Sequence, residues 1–165
     1  MFTLAKKQQI GNYTITFPVK EGDYAETYRV KDTAGKNRLL KLINCAKLHR
    51  TQFDGDGHIL EVEIAQQLNH PNIVKYRDNG EIILNGRKYA YIVFDFIIGE
   101  TVSQFLSRDG DCSVYDAKSI VVGVLNGLKF LHSLPEPIIH NEITLQNVMV
   151  DVSTGTTIPK IIDFG

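Results

Sequence analysis

The residues best suited to chemistry lie in two stretches late in the chain, Ile139-His140-Asn141-Glu142-Ile143-Thr144-Leu145-Gln146-Asn147-Val148-Met149-Val150 and Ile161-Ile162-Asp163-Phe164-Gly165. They hold two carboxylates, Glu142 and Asp163, with Asn147 five positions after the first, and a positioned carboxylate can orient an attacking hydroxyl. Upstream, Glu61 falls in register with Ile64, Ala65 and Leu68, so a carboxylate lies on a helix face that should be buried. A buried carboxylate needs a partner, because an unpaired one is costly or protonated. Spacing alone equally allows an edge position that reaches solvent.

These residues need elements to position them. Tyr13, Ile15 and Phe17 alternate with Thr14 and Thr16, the period of a half-buried strand. A second strand is expected from about Ala25 to Val30, and the turn Asp32-Thr33-Ala34-Gly35 leads to a third, Arg38 to Ile43, which carries Lys41. Ile73 to Leu84 and Arg87 to Phe96 flank Asn85-Gly86, a pair suited to a type I′ hairpin because both central positions need positive φ. One helix is expected between these strand groups, about Gly57 to Leu68, closed by Asn69-His70-Pro71. After residue 97 the pattern turns helical. Thr101 to Ser107 is short; Ser113 and Asp116 resemble a capping box that opens a helix with Ala117, Ile120, Val121, Val124, Leu125, Leu128 and Leu131 on one face. Gly123 and Gly127 beside that face would admit a close neighbouring helix. Asn147 to Val150 and Ile158 to Ile162 read as extended runs around a Ser153-Thr154-Gly155 hairpin tip.

The chain has 165 residues, 43% hydrophobic and 22% charged, with a formal net charge of −1. That composition excludes disordered, collagenous and disulfide-scaffold classes. No apolar run approaches the roughly 20 residues of a bilayer span, and the first residues lack the pattern of a secretory signal. Cys45 and Cys112 suggest neither a disulfide framework nor zinc, so two reduced thiols in the cytoplasm are expected. Charge divides unevenly, +4 over residues 1 to 90 and −5 over 91 to 165. An acidic second half is a solvated surface or a place for a cation, and nothing calls for nucleic acid or membrane.

Taken in order, these motifs resemble the protein kinases. The catalytic loop of that family is His-Arg-Asp with Asn five positions after the Asp, and its metal loop is Asp-Phe-Gly; this chain has His140, Glu142, Asn147 and Asp163-Phe164-Gly165. The resemblance runs from about Tyr13 to Gly165. It implies an α+β fold, a five-stranded antiparallel lobe with one helix over residues 1-96 and the start of a mainly helical lobe over 97-165. It implies ATP and Mg²⁺ as cofactors and a protein hydroxyl, serine or threonine, as acceptor. Lys41 would hold phosphates and pair with Glu61, Asn147 and Asp163 would hold the metal, and Glu142 would orient the acceptor. The adenine would meet Val19, Leu39 and Met149, with Phe94 as gatekeeper and the backbone of Asp95 and Ile97 facing its edge. Lys20, Gly22, Ala25 and Thr27 would lie along the phosphate loop, and His140 would pack under Phe164.

The chain departs from the family pattern at named positions. Lys20 and Ala25 stand where the first and third loop glycines are expected, Leu39 replaces a small residue, Glu142 replaces Asp, Asn141 replaces Arg, and Thr144 replaces Lys. A pseudokinase that binds nucleotide without turnover is therefore the alternative reading, and a small-molecule phosphotransferase a third. The resemblance further implies a helical lobe cut short after Gly165, with weak or no activity and poor solubility for these residues alone, and a 117 to 131 helix face covered by missing chain or a partner.

Overall fold

A computed structural model describes residues 2–109 and 112–164; Gly165, which completes the Asp163-Phe164-Gly165 triplet, lies outside the described residues. The chain divides into two compact units, Met1–Gln67 with Tyr76–Phe96, and Leu68–Lys75 with Ile97–Gly165. The sequence places the boundary at residue 96 alone, whereas Leu68–Lys75 belongs with the second unit. The reason is hydrogen bonding: Val74 N–H donates to Ile161 O and Ile161 N–H to Asn72 O, each at 2.9 Å, and Asn72 Nδ2 donates to Pro159 O at 2.9 Å. Ile73 is accordingly a bridge partner of Ile161 rather than the start of the expected strand.

The first unit is a six-stranded antiparallel sheet of β1 (Gln9–Ile10), β2 (Tyr13–Glu21), β3 (Ala25–Lys31), β4 (Asn37–Asn44), β5 (Tyr76–Leu84) and β6 (Arg87–Asp95), in the order β1-β2-β3-β4-β6-β5. Five strands were expected; the sixth is the two-residue β1, too short to show a period, which pairs Ile10 with Tyr13. Alternation sorts the sheet into two faces. Tyr28, Val30, Leu40 and Leu42 are essentially inaccessible and cluster with Leu4, Ile10 and Tyr91, so the N-terminal segment seals that face. Truncating one such leucine to alanine costs about 2–5 kcal/mol. Leu39 and Lys41 point the other way. Asn85 and Gly86, at φ +50° and +73°, close the β5–β6 hairpin as their types require.

α1 (Leu60–Gln66) begins three residues later than the sequence suggests. Asp54 is responsible: its Oδ1 accepts from the N–H groups of Asp56 at 2.9 Å and His58 at 2.8 Å, and Gly57 takes φ +88°, so this stretch is a turn competing with helix.

The second unit holds β7 (Gly99–Thr101), α2 (Val102–Asp109), α3 (Val114–His132), β8 (Val148–Asp151) and β9 (Ile158–Ile161), with an antiparallel sheet ordered β7-β8-β9. β7 has no sequence period. It forms because Gly99 lets two backbones approach; a Cβ there would sit 1.7 Å from Val150 O. Thr101 and Gln104 cap α2 reciprocally, and Ser113 Oγ accepts from Asp116 N–H at 3.0 Å to open α3.

The buried face of α3 differs from the expected one. Ile120, Gly123, Gly127 and Leu131 are buried, while Val121 and Leu125 are 55% and 57% exposed. Gly123 and Gly127 do admit a close neighbour, but it is Pro159 and Ile161 of β9, with Asn72, rather than another helix. No helix among the described residues is long and apolar enough to cross a membrane.

Candidate functional site

Lys41 sits mid-strand on β4, in register with Thr27 on β3 and Ile92 on β6. Its Nζ pairs with Glu61 Oε1 on the first turn of α1, the two side chains being 13% and 9% exposed. The carboxylate that periodicity placed on an apolar face thus has its partner, and the solvent-edge alternative falls. Glu61 Oε2 also receives Tyr24 Oη at 3.5 Å, and the Tyr24 ring centroid lies 5.7 Å from Lys41 Nζ. Alternation along β3 would send Tyr24 to the opposite face, with Tyr28; the turn at Gly22 returns it, and no sequence signal reveals that.

The β2–β3 hairpin carries the other loop candidates. Lys20 pairs with Thr27, and a bulge between Pro18 and Lys20 leaves Val19 unpaired and exposed. Gly22 N–H donates to Ala25 O at 2.9 Å to close the tip. The tip is tied down by Asn44 N–H to Tyr24 O and by Lys47 Nζ to Asp23 O, both 2.8 Å. Leu39 lies directly opposite Phe94, which is buried.

In the second unit a hydrogen-bond network builds the loop around residues 140 to 147. His140 Nδ1 accepts from Glu142 N–H at 3.3 Å, so the proton belongs on Nε2, which donates to Ile162 O at 3.0 Å. The His140 ring packs 4.8 Å from Phe164, centroid to centroid. Asn147 is buried; its Nδ2 donates to Glu142 O at 3.1 Å and its own carbonyl accepts from Ile162 N–H at 2.9 Å. Ile162 is thereby held through both backbone groups, which sets Asp163 next to this loop. Asp163 and Asn141 adopt φ +63° and +65°, a region where non-glycine residues are uncommon and asparagine is enriched. Asn141 therefore suits its backbone, a signal that was open to sequence reading. Ile97 is buried and Met149 half-buried on β8, paired with Lys160.

The oxygen donors fit a hard cation. With Nδ2 of Asn147 committed to the loop, its remaining ligand atom is Oδ1, and Asp163 follows Ile162, whose N–H the Asn147 carbonyl holds.

Comparison with known proteins gives the family. The model of the protein kinase domain matches residues 13–165. The chain belongs to the protein kinase domain family. Within that family it is 31% identical over 158 residues to the "Probable serine/threonine-protein kinase PknB" of Lactococcus lactis, covering 93% of this chain and 23% of that protein. A protein of the same description from Bifidobacterium longum is 28% identical, over 94% of this chain and 22% of its own length. A crystal structure of Rad53 in complex with AMP-PNP superposes with a TM-score of 0.77 at 26% identity, covering 93% of this chain and 39% of that one. The chain thus spans about a quarter of the length of the bacterial kinases it matches.

Proposed function

We propose that these residues are the nucleotide-binding and phosphoryl-transfer part of a cytoplasmic serine/threonine protein kinase using ATP with Mg²⁺. The observation that carries this is the Lys41–Glu61 pair, a charged pair taken out of water on the first unit. A buried ion pair is weak evidence for stability, since desolvation offsets its attraction, so its presence suggests another use. Lys41 would bind the α- and β-phosphates, and Glu61 would keep its ammonium aimed. In the second unit Asn147 and Asp163 would hold Mg²⁺, which when bound neutralises charge on the phosphates. Glu142 would orient the acceptor hydroxyl and receive its proton. It has one methylene more than aspartate, and the backbone network from His140 to Ile162 sets where its carboxylate can reach.

The test is Asp163→Ala in the full-length protein that carries these residues, assayed for γ-phosphate transfer to a serine/threonine peptide mixture. Transfer should vanish while far-UV circular dichroism is unchanged; unchanged turnover would refute the assignment. ATP binding without transfer in the unmodified full-length protein would instead favour a pseudokinase.

A further inference from the structure

Three arginines from three strands close on the last two residues of the first unit. Arg77 of β5 grips Asp95 of β6 with two prongs, Nε to Oδ1 at 2.6 Å and Nη2 to Oδ2 at 2.7 Å. Arg38 of β4 stands opposite Asp95 in the ladder and reaches Oδ1 through Nη1. Arg38 Nε also bonds Asp32 Oδ2 at 3.0 Å, and Asp32 Oδ1 in turn accepts the N–H groups of Ala34 and Lys36, at 3.0 and 2.9 Å. Arg29 of β3 lays its guanidinium over the Phe96 ring, 4.7 Å from the centroid.

The ladder already joins β4, β5 and β6, so this knot exceeds what strand pairing needs. A two-pronged arginine–carboxylate contact sets orientation as well as distance. With both oxygens engaged, rotation of the Asp95 side chain is opposed, and it is held from the strands on both sides of β6. Polar contacts to a flat base depend on such orientation, and a misplacement of about 1 Å can cost on the order of a hundredfold.

We propose that Arg77, with Arg38 and Arg29, is a positioning residue that holds the Asp95 main chain ready for the base edge of the nucleotide. This rests on the reading above, in which the backbone of Asp95 faces adenine. Arg77 touches no ligand; it acts through Asp95. The effect therefore belongs to the base end of the nucleotide and not to its phosphates.

Calorimetric titration with adenosine and with ATP distinguishes the two ends. Arg77→Gln should weaken both ligands by the same factor, on the order of tenfold, raising KM for ATP with little change in kcat. Arg77→Lys, which keeps the charge and loses the fork, should recover only part of that loss. Lys41→Ala should weaken ATP and leave adenosine unchanged. Adenosine affinity within twofold of the unmodified protein in Arg77→Gln, alongside ATP weakened in Lys41→Ala, overturns the proposal and leaves the nucleotide reading standing. Failure of the unmodified protein to bind either ligand overturns both. Should Arg77→Gln not fold, Arg38→Gln gives the same readout from the other arm of the knot.

Discussion

Replacing Lys41 by methionine removes one half of an ion pair whose side chains are 13% and 9% exposed. The residual Glu61 keeps only the long contact to Tyr24 Oη at 3.5 Å among its named partners, too long to compensate a carboxylate fully. Deleting one partner of a buried pair costs about 3–5 kcal/mol, and the slight solvent access here argues for the lower end, about 3 kcal/mol. For a chain of this size that corresponds to a fall in Tm of roughly 6–12 °C. Adding Glu61→Leu to Lys41→Met substitutes an apolar pair of similar volume, an exchange that is neutral or stabilising elsewhere. The double variant should therefore regain most of the loss, with a coupling of at least about 2 kcal/mol, yet still bind ATP more weakly than the unmodified protein. Urea unfolding followed by circular dichroism and tyrosine fluorescence, suited to a chain with 7 tyrosines and no tryptophan, measures the cycle. Single variants that add to within about 0.5 kcal/mol would show that the pair is not formed and would refute the reasoning.

Other outcomes follow from the second unit. Gly123→Ala gains about 1 kcal/mol of helix propensity, but its Cβ would lie 2.2 Å from Pro159 Cγ; overpacking wins, and a net loss of about 1–2 kcal/mol in urea unfolding is expected. A more stable variant would show that α3 and β9 do not dock there. Ser113→Ala should cost about 1 kcal/mol through the lost α3 cap, with no effect if Asp116 N–H were satisfied otherwise. His70 stacks 5.3 Å from Phe130, and burial, with the Lys160 charge second, holds its pKa below the usual imidazole value. The unfolded chain then binds the extra proton first, so stability declines as pH falls below about 6.5. His70→Phe should flatten that acid limb; parallel curves for the two proteins between pH 7.5 and 5.5 would contradict it. His58, raised by its hydrogen bond to Asp54, works in the opposite sense and is common to both proteins, so it cancels from the comparison.

Much of this molecule could be read along the chain because the relevant signals are local. Alternation at Tyr13 and Ile15, the Asn85-Gly86 pair and the Ser113 cap each depend on neighbours within a few residues, and each fixes its element, whereas a bulge after Ile15 turns Phe17, expected on the buried face, out to 63% exposure. The order of Lys41, Glu61, Glu142, Asn147 and Asp163 carried the family in the same way. The misses were of a different kind. Gly99 looked like a loop residue until Val150 was laid against it, and Gly123 and Gly127 announced a close contact without saying that β9 would make it.

The sequence by itself determined which residue types stand in which order, hence the family and the expectation that Glu61 needs a cation. Only the tertiary structure decided what touches what. Lys41 lies 20 positions from Glu61, Arg77 reaches Asp95 across a hairpin, and Ile162 receives both of its backbone partners from a loop more than a dozen residues earlier. The physical reason is that pairing of charges and of backbone groups is set by distance in space, while the periods that can be read from a sequence report only which face of an element a side chain occupies.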